Sequence, residues 1–314
     1  MPEWLVEHGI GESRAARIDG DEIVEARIFL EGIVPAGIRL LAKLKTVGRP
    51  AVAEAGAQEY LLPKGAPGVT HGATLTIEVT RETIPGAEPW KRPLAVVTGE
   101  LPSLPPDFDA RTLPFPAPND ELGNAGWWDL IEEARSGIVR FPGGELRVSP
   151  TPAMTLIDVD GQLPPLELAR AGAEAAARAI VRHGIGGSIG IDLPTVGGKA
   201  ERQAVAVAID SILPQPFERT AVNGFGFLQI VRPRRHASLF ELAQDRAAFE
   251  ARALLRRAAF EAPGTRRLGA HPAMIAVLES RPEWIDALAR QTGGAISLRA
   301  DAALPMSGGY AEKL

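Results

Sequence analysis

The feature that most constrains the fold is the alternation of apolar strands with alanine-rich helical segments between Thr151 and Arg235. The pattern predicts three strands, in AMTLIDVDG, SIGIDLP and GFGFLQIVRP, each ended by glycine or proline. Between them, it predicts helices in PLELARAGAEAAARAIVRHG and KAERQAVAVAIDSILP. A β-α-β-α-β order favours a parallel or mixed sheet with helices packed against it.

The preceding part of the chain has a different texture. Residues 20–99 carry about five short β-like runs closed by Gly or Pro, which predicts a small barrel, with an OB-like barrel as one candidate among several. The proline-rich stretch 101–119 predicts a linker. A short helix in WWDLIEEARSG and a hairpin turning at Gly143–Gly144 are expected after it. The C-terminal tail predicts a small α/β domain, with a long helix from Leu239 to about Ala262, two shorter helices near 272–279 and 283–291, and a final strand in GAISLRA.

Composition narrows the function classes. The 314 residues include no cysteine, which excludes disulfide frameworks, thiolate zinc sites and cysteine nucleophiles, so no zinc is expected. No apolar run reaches membrane-span length and the N-terminal sequence does not resemble a secretory signal, so we expect a cytoplasmic protein with no membrane partner. The net charge of −5 means that contact with nucleic acid would depend on local basic patches.

Two aspartates mark the candidate chemistry. Asp158 and Asp192 each lie near the carboxyl end of an apolar strand, where ligands of open α/β sheets usually bind. Asp160 lies two residues beyond Asp158 and would face the same side. Carboxylates that converge repel one another, and a Mg²⁺ or Mn²⁺ ion between them relieves the repulsion. The alternative is that these acids are helix caps or solvated loop residues.

Basic and aromatic residues mark candidate nucleic-acid contacts. Tyr60, with Lys91 and Arg92 in the same barrel-like region, predicts a surface that stacks bases and contacts phosphates. The alternative is a core tyrosine beneath a solvated charged face. Arg232, Arg234 and Arg235 end the third strand, and more arginines follow between 246 and 267. They predict a polyanion site near the strand ends, and the alternative is a helix face paired with acids elsewhere in the chain.

Several segments, taken in order, resemble the ribonuclease E/G family. LIDVDG is similar to the A-I-D-x-N-S-G motif of that family, and the helix-GG-strand segment that ends in IGIDLP is similar to the segment that ends in I-V-I-D-F. NGFGFLQIVRPRR is similar to S-R-F-G-L-L-E-M-S-R, and QEYLL lies at the place of an RNA-stacking aromatic. Asp160 stands where the family has asparagine, and Gly224 where it has arginine, while Arg232 is kept.

The resemblance implies an α+β or α/β multidomain protein with an OB-like barrel, an RNase-H-like and DNase-I-like mixed-sheet domain, and a small C-terminal α/β domain. The implied boundaries are 1–30 (strands joining the RNase-H-like subdomain), 31–100 (OB fold), 101–119 (linker), 120–150 (RNase-H-like), 151–237 (DNase-I-like, catalytic) and 238–314 (C-terminal). The family's 5′-monophosphate sensor domain and its zinc-linking cysteines are missing from this sequence.

The function that follows is an endoribonuclease that cleaves single-stranded RNA with Mg²⁺ held by Asp158 and Asp192. Asp158, Asp160 and Asp192 are the predicted catalytic residues. The six residues predicted to bind RNA are Tyr60, Lys91, Arg92, Arg232, Arg234 and Arg235. A homo-oligomer through the C-terminal domain is a further expectation. The alternatives are an RNA-binding protein of the same fold with impaired catalysis, and a metal-dependent phosphodiesterase of another substrate class.

Overall fold

The computed structural model describes residues 2–85, 91–102 and 110–314. The strands of this part of the chain are β1 (Glu3–His8), β2 (Glu12–Asp19), β3 (Glu22–Leu30), β4 (Arg39–Thr46), β5 (Ala51–Ala55), β6 (Gln58–Leu62), β7 (Thr74–Arg81), β8 (Leu94–Thr98), β9 (Ala110–Leu113), β10 (Ile138–Phe141), β11 (Gly144–Pro150), β12 (Thr155–Gly161), β13 (Gly187–Asp192), β14 (Glu218–Arg219), β15 (Phe227–Arg232), β16 (Arg266–Ala270), β17 (Ile296–Ala300) and β18 (Tyr310–Lys313). The helices are α1 (Glu121–Asn124), α2 (Trp127–Ser136), α3 (Pro165–Arg182), α4 (Lys199–Asp210), α5 (Leu239–Leu242), α6 (Arg246–Ala259), α7 (Pro272–Glu279) and α8 (Pro282–Thr292).

The chain folds into two compact units, each assembled from separated segments. The first unit contains residues 1–31, 110–135 and 242–314, and the second contains residues 32–109 and 136–241. The fold is therefore mixed α+β, with one closed barrel and several mixed sheets. No helix among the described residues is both long enough and apolar enough to cross a membrane.

In the second unit, β4 to β8 close a five-stranded barrel in the order β4-β5-β6-β8-β7. Its strands alternate between the two faces, as TLTIEVT predicts for β7, so that Leu75, Ile77 and Val79 are buried. Tyr60 and Leu62 of β6 fill the same interior. The small barrel expected from the sequence is confirmed as a closed five-stranded barrel, but one of its strands differs from expectation: β3, at the start of the predicted region, belongs to another sheet, and β5 completes the barrel instead.

The rest of the second unit is a six-stranded sheet in the order β10-β11-β12-β13-β15-β14. Its strands are antiparallel except for the pair β12–β13, which is parallel. One face is apolar and packs against α3 and α4. The alanine-rich sequence of α3 allows close packing, and at Gly172 a Cβ atom would lie 2.3 Å from Val159 Cγ1 on β12. The opposite face of the sheet carries the charged side chains described below.

The first unit combines the sheets β3-β2-β1-β9 and β17-β16-β18 with the C-terminal helices. Its apolar core contains Leu254 of α6, Met274 of α7 and Trp284 of α8. A buried ionic cluster lies in the same unit: Arg256 donates to Glu7 at 2.9 Å and to Asp120 at 2.6 Å. Burial of the Arg256 charge is tolerated because two carboxylates pair with its guanidinium.

Three segments differ from the predicted boundaries. β9 lies inside the proline-rich stretch predicted as a linker and pairs in parallel with β1 at the edge of the sheet, because its four residues contain no proline. Residues 103–109 of that stretch lie outside the described residues. β10 and β11, placed by the predicted boundaries before the catalytic subdomain, extend its sheet through β12. The long helix expected from Leu239 is interrupted, because Asp245 caps a new helix by accepting the N–H of Ala248.

Candidate functional site

The structure brings Asp158 and Asp192 together. Asp158 of β12 and Asp192 of β13 are Cα partners in the parallel pair, so both side chains point to the same face at the carboxyl ends of the strands. Neighbouring strands are about 4.8 Å apart. Both side chains are exposed. The predicted convergence of these two carboxylates is confirmed.

Electrostatic repulsion is visible at this pair. Partial burial raises the pKa of the Asp158 carboxyl above its ordinary value, and the negative charges of Asp160 and Asp192 raise the pKa further. The N–H of Val159 and the guanidinium of Arg147 oppose this shift. The positive groups of the chain do not offset these effects at Asp158, and a cation beside its carboxylate would stabilise the ionised form.

Arg147 is a residue that the sequence analysis missed. It lies directly opposite Asp158 in the antiparallel β11–β12 pair and therefore shares the open face of the sheet. Its guanidinium donates to Glu145 at 2.8 Å and lies 3.6 Å from Asp160. The signal was present in the sequence: counting back in register from Asp158 across the turn at 151–154, which joins β11 to β12, puts Arg147 beside it.

Asp160 faces the same side as Asp158, as expected for a residue two positions along a strand. Its cross-strand partner is Glu145, and it borders a cleft of about 470 Å³ together with Gly143, Gly144, Glu145, Gly161 and Gln162. Neither Asp158 nor Asp192 lines that cleft. Asp160 lies 3.6 Å from the Arg147 guanidinium, and its negative charge also acts on Asp158. Asp158 and Asp192 are the two acids paired in register.

The donor set fits a magnesium ion. Mg²⁺ commonly takes one or two protein carboxylates and completes its octahedral shell with water and substrate phosphates. Within residues 2–85, 91–102 and 110–314, no group of three or more His, Asp or Glu side chains is arranged to hold a metal. A cation at Asp158 and Asp192 would accordingly keep most of its coordination positions for water and substrate.

The arginine run lies at the opposite end of the sheet, which corrects the predicted polyanion site near the strand ends. Arg232 ends β15 and pairs with Gly187 at the start of β13, whereas Phe227 at the start of β15 pairs with Asp192. Five residues of strand separate the two ends, about 17 Å. The prediction is wrong because β15 runs antiparallel to β13. In addition, Arg234 is bound by Glu241, while Arg235 is exposed.

Tyr60 cannot stack on RNA in this structure, because its side chain is only 1% exposed. The alternative of a core tyrosine is correct: burial in the barrel also raises the pKa of its phenol. The outward residues of β6 are Glu59 and Leu61, which lie opposite Glu54 and Val52 of β5. Arg92 pairs with Glu59 at 2.9 Å, and Lys91 precedes it before β8.

The arginines of α6 also serve the fold. Arg252 pairs with Glu12 at 2.8 Å, and both side chains are buried. Together with the contacts of Arg256, this confirms the alternative of a helix face paired with acids elsewhere in the chain.

Neither a protein-family model nor a curated protein sequence matches this chain. The carboxylate pair and its surroundings are the features of this chain that indicate a function.

Proposed function

We propose that this protein is a Mg²⁺-dependent endoribonuclease that cleaves single-stranded RNA. The observation that carries the proposal is the pair Asp158–Asp192, held in register at the carboxyl ends of two parallel strands on an exposed face. Such a pair has the ligands and the open coordination positions that metal-assisted phosphodiester hydrolysis requires. Mn²⁺ has similar ligand preferences and is expected to replace Mg²⁺.

Single-stranded RNA is the substrate class that the rest of the second unit supports. A five-stranded barrel is the architecture of OB folds, which bind oligonucleotides on their second and third strands. In this barrel those strands are β5 and β6. The ordered similarity of LIDVDG, IGIDLP and NGFGFLQIVRPRR to ribonuclease E/G segments points to the same substrate.

Because Tyr60 is buried, we expect the barrel to contact RNA through other residues. These are the outward pair Val52–Leu61 and the cation Arg92. The pair offers an apolar surface beside a positive charge. A base would pack on the aliphatic side chains, while Arg92 would exchange Glu59 for a phosphate.

The residues at the site divide the chemistry among them. Asp158 and Asp192 would hold the metal ion, which when bound lowers the pKa of a water molecule and offsets the charge that develops on the phosphate. Arg147, across the strand from Asp158, is placed to donate to a non-bridging phosphate oxygen. Asp160 and Glu145 orient the Arg147 guanidinium through their ion pairs.

The test is cleavage of an end-labelled, unstructured RNA by the full chain, with Mg²⁺ or with EDTA. Cleavage by the wild type should require Mg²⁺, and Asp158→Asn and Asp192→Asn should each abolish it while retaining the wild-type circular dichroism spectrum. Asp286→Asn is the matched control, because Asp286 is an exposed aspartate on α8, in the other unit.

Two outcomes would overturn the proposal in different directions. RNA binding without cleavage at any Mg²⁺ concentration would identify an RNA-binding protein with impaired catalysis. Hydrolysis of a simple phosphodiester such as bis-p-nitrophenyl phosphate, without RNA binding, would identify a phosphodiesterase of another substrate class.

A further inference from the structure

Large apolar side chains are exposed close to the carboxylate pair. Leu156 of β12 is 40% exposed on the face of the sheet that carries the pair, and Phe225, in the turn before β15, is 85% exposed. Phe227 lies directly opposite Asp192 in the β13–β15 register. A single exposed apolar side chain needs no explanation, but apolar side chains grouped beside a candidate active site are typical of a ligand-binding surface.

The turn that presents Phe225 is held by many hydrogen bonds. Asn223 Oδ1 accepts the N–H groups of Phe225 at 2.9 Å and of Phe227 at 3.0 Å. Thr195 Oγ1 donates to the carbonyl of Phe225 at 3.3 Å, and the Leu193 N–H donates to the carbonyl of Gly226. The exposed ring is therefore carried on a fixed backbone, which lowers the entropic cost of using it to bind a ligand.

Glycine at position 190 makes room for an apolar surface next to this turn. A Cβ atom on Gly190 would lie 2.6 Å from Phe227 Cζ and 3.0 Å from Leu156 Cδ2. The phenyl ring and the leucine side chain thus cover the backbone of Gly190. Leu156 and Gly190 are the register pair two residues before Asp158 and Asp192, about 6.6 Å along the strands.

We propose that Phe225, with the surface formed by Phe227 and Leu156, binds a nucleobase of the nucleotide next to the scissile phosphate. This inference rests on the proposed function. A base would stack on the Phe225 ring while its phosphate reaches the carboxylate pair. Base–aromatic stacking tolerates any base, so this contact would position RNA without selecting a sequence.

A nucleobase fits this surface better than a protein partner does. The three apolar side chains are bordered by charged residues, among them Asp158 and Asp192, and a stable protein interface engages about 20–30 residues on each side. A planar base needs one aromatic ring and a small apolar surface. Its attached phosphate supplies the negative group that a cation at the carboxylates would attract.

The experiment measures binding and cleavage separately. Affinity for a fluorescein-labelled single-stranded RNA is titrated in Ca²⁺, a hard cation that takes carboxylate ligands but has looser coordination geometry than Mg²⁺, and cleavage is followed in Mg²⁺. Phe225→Ala should weaken binding about 5- to 150-fold, the fold-change that corresponds to about 1–3 kcal/mol for one base–aromatic stack. Phe225→Trp should restore the affinity, whereas Phe225→Leu should restore it only in part.

Val207→Ala is the matched control, because Val207 is also exposed (50%) but lies on α4, which covers the opposite face of the sheet. It should bind RNA as the wild type does. An RNA with one abasic nucleotide beside the cleavage position should lower the affinity of the wild type and leave that of Phe225→Ala unchanged.

The outcomes separate this inference from the proposed function. If the wild type cleaves RNA and Phe225→Ala has wild-type affinity and KM, the nucleobase site is wrong while the nuclease stands, and a protein partner becomes the better explanation of the exposed ring. If the wild type does not cleave but its RNA binding depends on an aromatic residue at position 225, the nucleobase site stands and the nuclease proposal fails.

Discussion

Arg147 shows at the residue scale how a single register position can change the interpretation of a site. It places a positive charge across from Asp158 on the open face of the sheet. The acids alone would repel a phosphate, whereas the guanidinium attracts it. Under the proposed function, the site would combine two carboxylates that hold a metal ion with a cation that binds phosphate on the adjacent strand.

Arg147→Met keeps most of the side-chain stem and removes the charge. We expect kcat/KM for RNA cleavage to fall about 10- to 150-fold, the range of a charge-assisted hydrogen bond worth about 1.5–3 kcal/mol. Arg178→Met is the control, because Arg178 lies on α3, which covers the opposite face of the sheet. Equal kcat/KM values for the two variants would rule out a role for Arg147 in binding phosphate.

Tyr60 contributes to stability through its position in the barrel core. Removing most of a large buried side chain costs about 3–5 kcal/mol. We expect Tyr60→Ala to lower the free energy of unfolding by that amount in urea denaturation, and Tyr60→Phe to have a far smaller effect. Any variant that remains folded should bind RNA with wild-type affinity. A stable Tyr60→Ala protein with weakened RNA binding would restore the stacking role.

At the scale of elements, Asp120 links the start of α1 to α6. Its Oδ1 accepts the Gly123 N–H at 2.8 Å, and its carboxylate also receives Arg256. Burial raises the pKa of Asp120, but these hydrogen bonds outweigh burial, so the pKa lies below its ordinary value of 3.8. The ionised carboxylate therefore stabilises the fold above about pH 4.

Asp120→Asn keeps an oxygen for the helix cap and removes the charge beside Arg256. We expect it to lower the free energy of unfolding at pH 7 by about 1–3 kcal/mol. The difference from the wild type should shrink as the pH falls below 3.8 through the lowered pKa of Asp120, because the wild-type carboxylate is then protonated as well. Urea denaturation at pH 7 and pH 3 measures both effects, and a pH-independent difference would contradict the ion-pair explanation.

The elements also show how far the sequence determines this fold. β12, α3, β13, α4 and β15 were predicted because their apolar and alanine-rich patterns are set locally. β16 and β18 were missed because both are short and their strand structure depends on pairing. β16 lies between β17 and β18 and pairs with both of them. Tyr60 was wrongly predicted to be an exposed stacking residue for a related reason. The alternation in QEYLL shows that Tyr60 and Leu62 share one face of β6, but not whether that face is buried. The closed barrel buries it.

For the whole molecule, the sheet separates the arginine run from the carboxylate pair by about 17 Å, the length of five strand residues. The strand direction that causes this separation could not be read from sequence spacing. RNA that reaches both would span several nucleotides. The exposed Arg235 would then contact a phosphate away from the bond that is cleaved.

Arg235→Gln should therefore weaken RNA binding without changing kcat. Because a single phosphate contact is lost, the slope of log affinity against log salt concentration should become about one unit less steep. Titrations at several salt concentrations, together with single-turnover cleavage, measure the two effects. A large loss in the single-turnover rate would place Arg235 at the reacting phosphate, in conflict with its position at the far end of β15.

The central claim is that Asp158 and Asp192 together form a divalent cation site. Thermal unfolding of the wild type, Asp158→Asn and Asp192→Asn across a Mg²⁺ titration tests it most directly, since a ligand that binds the folded state raises Tm by mass action. Without metal, each variant should be at least as stable as the wild type, because repulsion between the carboxylates is relieved. With Mg²⁺, only the wild type should gain stability. Equal Mg²⁺-dependent shifts in all three proteins would contradict the account.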